Sequence, residues 1–112
     1  MASYTRSDMR EIWTRVANVS DVPEDGTLLV GLGGEPVCLY RLGGGKIFAT
    51  HDVCTHGQAS LADGFLEGEE IECPLHQGKF NIVTGKATTV PCTEDLRTYA
   101  VKIENGAVLL KG

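Results

Sequence analysis

The sequence predicts an all-β chain that folds as a small antiparallel sandwich or barrel. Short apolar or alternating runs recur along the 112 residues, and glycine-rich turns separate them. No window sustains a helical period over three turns. The fourteen glycines suit tight turns between antiparallel strands. Together these observations favour a single domain over residues 1–112.

The predicted strands follow one another closely, and turn residues bound each of them. Paired glycines at 33–34 and a glycine run at 43–45 separate the first three strands, and Thr84–Gly85 marks a later turn. This order predicts successive hairpins rather than parallel strands joined by helices. The strands are predicted at residues 27–32, 37–42, 46–50, 70–73, 80–83, 97–104 and 107–111.

The strongest hairpin signal is the Asn105–Gly106 dipeptide between the last two predicted strands. Asn-Gly readily adopts the positive φ angles that a two-residue hairpin turn requires. Before it, Tyr99, Val101 and Ile103 alternate with polar residues. Their side chains should therefore face the same side of a half-buried sheet.

Composition narrows the classes of partner. The formal net charge is −5 and the Lys and Arg residues are scattered, whereas phosphate binding needs a clustered basic face, so we expect no nucleic acid partner. No apolar run approaches the roughly 18 residues of a membrane helix, and residues 1–10 lack the apolar block of a signal peptide. We expect a cytoplasmic monomer that does not bind a membrane. In that compartment its cysteines stay reduced or bind metal.

Residues 51–80 hold two of the four cysteines and all three histidines. Cys54 and His56 form one pair, and Cys73 and His76 form another. Each pair lies where strand-like sequence gives way to glycine or proline, which places it at the tip of a loop. Two tips that each carry one thiolate and one imidazole can meet around a common centre.

Three interpretations of these four residues are possible: unrelated side chains, one tetrahedral zinc site, or a two-iron, two-sulfide cluster. Zinc accepts two sulfurs and two nitrogens, but its knuckles usually pair cysteine with cysteine and histidine with histidine. In a two-iron cluster the cysteines hold one iron and the histidines hold the other. The mixed loops favour the cluster, because each loop then gives one ligand to each iron.

The segments CTHGQA and CPLHQGKF resemble the Rieske motif pair, and most closely that of the small ferredoxins of bacterial aromatic-ring-hydroxylating dioxygenases, including the naphthalene type. The resemblance spans about residues 13–111. It implies the Rieske fold, in which a cluster-binding subdomain, here about residues 51–80, is inserted between strands of a larger base. It also implies one [2Fe–2S] cluster per chain, with Cys54 and Cys73 on the inner iron and His56 and His76 on the outer, solvent-nearer iron.

Departures from the respiratory and photosynthetic members of this family indicate the type of carrier. Those proteins have an extra cysteine in each loop, joined as a disulfide, where this chain has Ala59 and Leu75. They also have a hydroxyl and a tyrosine that donate hydrogen bonds to cluster sulfur, where this chain has Gly78 and Phe80. Such hydrogen bonds stabilise the added electron, so without them we expect a potential near the low end of the family range, about −150 mV.

The third histidine, His51, indicates an electron carrier rather than an enzyme. A terminal oxygenase needs a separate iron held by two histidines and a carboxylate, and this chain has only one histidine to spare. The resemblance implies transfer of single electrons from an NAD(P)H-dependent flavin reductase to the terminal oxygenase of an aromatic-ring-hydroxylating system. The alternative is the small Rieske-like subunit of an assimilatory nitrite reductase, which shares the fold.

Other residues have less specific patterns. Cys38 is predicted to be a buried small hydrophobic residue. The resemblance puts Cys92 and Pro91 in a third loop that covers the cluster, and we expect no Cys38–Cys92 disulfide in a reducing compartment. An acidic run is predicted to be a solvated hairpin face or a docking surface, at Asp63, Glu67, Glu69, Glu70 and Glu72. A small uncharged contact patch is predicted at Gly57, Gln58, Leu75, Gln77 and Pro91.

Overall fold

The structure is a computed structural model that describes residues 12–75 and 77–111. These residues form strands in three antiparallel sheets with two short 3₁₀ turns, which confirms the predicted all-β class. None of the helical segments in the described ranges is long and apolar enough to cross a membrane. The strands are β1 (Trp13–Asn18), β2 (Gly26–Leu32), β3 (Glu35–Arg41), β4 (Ile47–His51), β5 (Phe65–Glu67), β6 (Glu70–Glu72), β7 (Lys79–Asn81), β8 (Ala87–Thr89), β9 (Ala100–Glu104) and β10 (Ala107–Lys111).

The three sheets divide the chain into a base and a smaller sheet. The base consists of the sheets β1-β10-β9 and β2-β3-β4, and the smaller sheet is the meander β5-β6-β7-β8. The chain enters the smaller sheet after β4 and returns to the base at β9. Each neighbouring pair of strands within the sheets is antiparallel, as the turn pattern predicts.

Strand boundaries differ from the prediction where local hydrogen bonds intervene. The predicted strand at 80–83 is wrong at its end, because the Asn81 side chain accepts hydrogen bonds from the N–H groups of Val83 and Thr84 and starts a turn there. The predicted strand at 97–104 begins only at Ala100. Three strands, β1, β5 and β8, were not predicted: β1 mixes three apolar with three polar residues without strict alternation, and the other two are only three residues long.

The hairpin at Asn105–Gly106 is confirmed. Both residues have positive φ, +50° and +79°, and the turn joins β9 to β10. The predicted inward face of β9 is only partly buried: Val101 is half-buried, whereas Ile103 is 47% exposed. Ile103 is exposed because β9 is an edge strand of its sheet. Its partner Val108, on the central strand β10, is fully buried.

Strand β3 is buried on both faces and separates two hydrophobic cores. Val37 and Leu39 face one core, and Cys38 and Tyr40 face the other, as the period of two along a strand requires. The base core consists of Val22, Val37, Leu39, Ile47, Ala49, Tyr99, Val108 and Leu110. The site core consists of Cys38, Tyr40, Cys54, Ala59, Leu61, Ile71, Cys73, Phe80, Ile82, Cys92 and Leu96.

A buried hydrogen bond stiffens the sheet below the site core. The hydroxyls of Tyr40 on β3 and Thr50 on β4 lie 2.8 Å apart, and the Thr50 hydroxyl donates to the His51 carbonyl at 2.9 Å. Burial raises the pKa of Tyr40, so this side chain is a neutral phenol. The polar tips of both side chains are therefore satisfied inside an otherwise apolar layer.

Candidate metal centre

Asp52 anchors the first predicted ligand loop to the base. Its backbone N–H donates to the Pro36 carbonyl at 3.0 Å, and its carbonyl accepts the Leu61 N–H at 2.8 Å. The Asp52 carboxylate also accepts the Ala62 N–H at 2.9 Å. Only 3% of this residue is exposed. Sequence reasoning did not identify Asp52; its one signal is an acid placed between a strand and a ligand pair, in HDVC.

The two ligand loops close in the same way. The N–H of Cys54 donates to the Ala59 carbonyl at 2.9 Å, and the N–H of Cys73 donates to the Gly78 carbonyl at 2.8 Å. In each loop the acceptor lies five residues after the cysteine. Each cysteine is thus held at the start of a compact turn, and the backbone rather than the side chains sets the shape of that turn.

The two cysteines meet below the surface, with a histidine outside them. Cys54 and Cys73 are 2% and 1% exposed, and a hydrogen bond joins their side chains. His56 is exposed and lies on the first loop, and its backbone N–H donates to the Cys54 sulfur. The fourth predicted ligand, His76, lies outside the described residues. Sulfur therefore occupies the buried side of the site and imidazole the solvent side.

The surroundings of Cys54 favour its thiolate. Burial alone would raise the pKa of this thiol, but hydrogen bonds oppose that effect. They come from the backbone N–H groups of His56 and Gly57 and from the side chains of Cys73 and Cys92, and they bring the pKa of Cys54 below its usual value. A thiolate is the form of cysteine that binds metal.

Cys92 belongs to a third loop that packs against the first two. Its sulfur lies 3.8 Å from the Cys54 sulfur, and a Cβ placed at Gly78 would lie only 2.3 Å from the Cys92 sulfur. The Thr55 hydroxyl donates to the Glu94 carbonyl at 2.7 Å and so holds the third loop against the first. Burial, followed by the neighbouring Cys54 and Cys73 sulfurs, raises the pKa of Cys92 to about 12.

Cys38 differs from Cys92 although both are buried thiols. Its side chain faces the site core, and its sulfur lies 3.7 Å from the Leu39 carbonyl. Burial raises its pKa to about 12. Both side chains are reduced thiols. Cys38 thus packs as the predicted small hydrophobic residue, whereas Cys92 contacts the proposed metal site.

These residues fit a [2Fe–2S] cluster of the Rieske type. The donors are two buried thiols and an exposed imidazole, N–H groups converge on the Cys54 sulfur, and Gly78 has no side chain, so the third loop can pack against the site. Among residues 12–75 and 77–111, no three His, Cys, Asp or Glu side chains are grouped closely enough to bind one metal ion. A two-iron cluster does not need such a group, because it divides its protein ligands into pairs.

The remaining predicted surface residues lie on exposed segments. His51 ends β4, and its Nδ1 lies 4.0 Å from the Glu35 carboxylate, so it belongs to the base. The residues of the acidic run lie in the 3₁₀ turn at 61–63 and in the β5–β6 hairpin, as the solvated-face interpretation predicts. In the contact patch, Leu75 is 62% exposed. Val90, which sequence reasoning missed, is 75% exposed on the third loop.

Known proteins resemble this chain over nearly its whole length. A family model described as the Rieske [2Fe-2S] domain matches residues 12–100. The ferredoxin component of the naphthalene 1,2-dioxygenase/salicylate 5-hydroxylase systems of a Ralstonia species is 50% identical over 103 residues, 92% of this chain and 98% of that relative. The ferredoxin component of the naphthalene 1,2-dioxygenase system of Pseudomonas putida is 48% identical over 98 residues, 88% of this chain and 93% of that relative.

Solved structures give the same result. A chain in the complex of reduced oxygenase and oxidized ferredoxin in carbazole 1,9a-dioxygenase superposes with a TM-score of 0.83 and 41% identity, covering 91% of this chain and 94% of that one. A structure named for the small subunit of an NADPH nitrite reductase has a TM-score of 0.79 at 20% identity over 90% of this chain and 99% of that one, which shows a shared fold alone. This chain belongs to the Rieske [2Fe–2S] family, among the ferredoxin components of naphthalene and related dioxygenase systems.

Proposed function

We propose that this chain carries single electrons from an NAD(P)H-dependent flavin reductase to the terminal oxygenase of an aromatic-ring-hydroxylating system. The observation that carries the proposal is the arrangement of the site, with Cys54 and Cys73 buried and His56 exposed at the loop tip. One edge of the centre is thus open to a partner protein while the sulfur side is shielded from water.

The proposed ligands are the four residues of the two mixed loops, with one cluster per chain. Cys54 and Cys73 hold the inner iron, and His56 and His76 hold the outer iron. The bound cluster supplies reversible one-electron chemistry at this site. The protein contributes backbone N–H groups that stabilise sulfur charge at Cys54, and loops about residues 51–80 that form the cluster-binding subdomain.

The proposed docking surface is the loop tip around His56. Each of the three loops adds an exposed residue beside a buried site residue: His56 follows Cys54, Leu75 follows Cys73, and Val90 precedes Cys92. Transient electron-transfer interfaces are small, so a few apolar side chains around an exposed imidazole suffice. The acidic β5–β6 hairpin would steer basic partners towards this tip.

The chain itself is an electron carrier and not an oxygenase. Its third histidine, His51, faces Glu35 on the base, so it does not join the proposed cluster ligands. The aromatic substrate would bind to the partner oxygenase. We further propose that the chain acts as a monomer in the cytoplasm.

The alternative role, as the small subunit of an assimilatory nitrite reductase, has weaker support. The structure named for such a subunit shares only the fold, at 20% identity. The ferredoxin components described above are 48–50% identical to this chain. The two roles predict different partners, so reconstitution with purified redox proteins distinguishes them.

A reconstituted electron-transfer chain tests the proposal. NADH, a flavin reductase of a ring-hydroxylating system, this protein and the matching oxygenase are combined, and oxidised aromatic product is measured. Product formation that depends on the concentration of this protein is expected. If the reductase cannot reduce it, or the reduced protein cannot deliver electrons to any ring-hydroxylating oxygenase, the proposal is wrong.

A matched pair of leucine substitutions tests the docking surface. Leu75 on the second ligand loop is 62% exposed, and Leu29 on β2 of the base is 52% exposed. Leu75→Gln should raise the concentration of this protein needed for half-maximal turnover several-fold, whereas Leu29→Gln should leave it unchanged. Equal effects of the two substitutions would mean that the partners do not bind at the loop tip.

A further inference from the structure

The Cys92 thiol occupies a confined position between the two ligand loops. It is 3% exposed, its sulfur lies 3.8 Å from the Cys54 sulfur, and it fills the space that a side chain at position 78 would need. Its own N–H donates to the Thr89 carbonyl at 3.2 Å. The third loop therefore delivers a sulfur atom to the buried side of the site, although the proposed ligand pairs are complete without it.

We propose that Cys92 is a positioning residue that sets the reduction potential of the cluster, by donating its S–H as a hydrogen bond to the sulfur of Cys54. This inference rests on the proposed role of Cys54 as an iron ligand. A metal-bound cysteine sulfur has no proton and can only accept, whereas a thiol can donate. The direction of the hydrogen bond is therefore from Cys92 to Cys54.

The expected consequence follows from charge. Reduction adds one negative charge to the cluster, and a donor aimed at a ligand sulfur stabilises that charge. The reduced state of the cluster should therefore be more stable with Cys92 than with an apolar side chain at this position. The contact also modifies the expectation drawn from Gly78 and Phe80, because the third loop supplies a donor that those two positions lack.

Gly78 is the residue that permits this contact. A Cβ at position 78 would lie 2.3 Å from the Cys92 sulfur and 3.0 Å from its backbone nitrogen. A hydroxyl-bearing side chain at position 78 and the thiol at position 92 thus exclude each other in this packing. In this chain the hydrogen-bond donor is therefore the Cys92 thiol on the third loop and not a hydroxyl on the second ligand loop. Gly78 is buried between the two loops.

Cys92→Ser and Cys92→Ala form the decisive pair, because they are similar in size and only serine keeps a donor. The reduction potential of the purified cluster-loaded protein is measured by spectroelectrochemical titration. Cys92→Ala should lower the ratio of reduced to oxidised protein at a fixed solution potential about fivefold, which is about 40 mV for one electron. Cys92→Ser should keep this ratio within twofold of the original protein.

Two further variants separate the hydrogen bond from packing. Cys92→Val fills the space without a donor and excludes water, so it should shift the potential as alanine does. Cys38→Ala removes the other non-ligand thiol from the same core and should leave the potential unchanged. Resonance Raman bands of the iron–sulfur stretches should also shift in deuterated solvent in the original protein and lose part of that shift in the alanine variant.

The outcomes that would overturn the inference are specific. Equal potentials of the alanine and serine variants would show that packing alone matters, and loss of iron in the alanine variant would make Cys92 a ligand instead. All of these measurements use the isolated protein. A failure of electron delivery to an oxygenase would therefore contradict the proposed function and leave the Cys92 result standing.

Discussion

The base core and the site core lie on opposite faces of the β2-β3-β4 sheet, yet they have different compositions. The base core is made of aliphatic side chains and Tyr99, whereas the site core holds all four cysteines of the chain. Long paired strands form the base, and strands of three residues with three loops surround the site. Hydrophobic burial therefore stabilises the base, whereas backbone hydrogen bonds and close packing against glycine shape the site.

Removing a proposed ligand should have the largest effect and should be confined to the site. Cys54→Ala removes the thiolate proposed to hold the inner iron, so we expect complete loss of the cluster. Iron and acid-labile sulfide analysis should fall from about two of each per chain to near zero. Cys38→Ala, the control in the same core, should keep both. A Cys54→Ala protein that retains a full cluster would contradict the ligand assignment.

Truncating a side chain in the base should reduce stability without changing the site. Leu39 is fully buried on β3, and Leu39→Ala should lower the free energy of unfolding by about 2–5 kcal/mol, measured in urea. The folded fraction should keep its iron and its visible spectrum. Leu29→Ala, on the exposed face of the neighbouring β2, should change stability by less than about 0.5 kcal/mol. A spectral change in Leu39→Ala would mean that the two cores are coupled.

Overpacking at Gly78 should disturb the site more than the base. The added methyl of Gly78→Ala meets the Cys92 sulfur, and we expect a loss of about 1–3 kcal/mol together with a changed cluster spectrum. Gly31→Ala is the matched control, since its nearest neighbour is the Glu35 carbonyl at 3.9 Å. The double variant Gly78→Ala/Cys92→Ala should recover much of the stability. If it does not, the two residues do not compete for the same space.

The smallest effect is expected at the layer between the two cores. Tyr40→Phe removes the hydroxyl that meets Thr50 and leaves the Thr50 bond to the His51 carbonyl in place. We expect a loss of about 0.5–1.5 kcal/mol in the free energy of unfolding, measured by thermal or urea denaturation. The iron content should not change. A loss well above this range would indicate that the hydroxyl pair organises the ligand loops as well as the sheet.

Local patterns in the sequence were enough to predict much of this protein. Strand periodicity and turn glycines predicted β2, β3, β4 and β10, and the Asn105–Gly106 turn was confirmed with positive φ at both residues. The errors arose where local periodicity has no information. Asn81 ends its strand through side-chain hydrogen bonds, and β1 depends on pairing with β10 at the far end of the chain.

The sequence by itself predicted the chemistry, because the spacing of Cys54–His56 and Cys73–His76 is typical of two mixed ligand loops and needs no tertiary information. All four ligands stay a prediction. Only the tertiary structure decided which other residues act on the site. Cys92 reaches Cys54 across 38 positions of sequence, and the Asp52 side chain holds Ala62 across 10. Such contacts depend on how the sheets pack, and no periodicity within one segment encodes the distance between two distant segments.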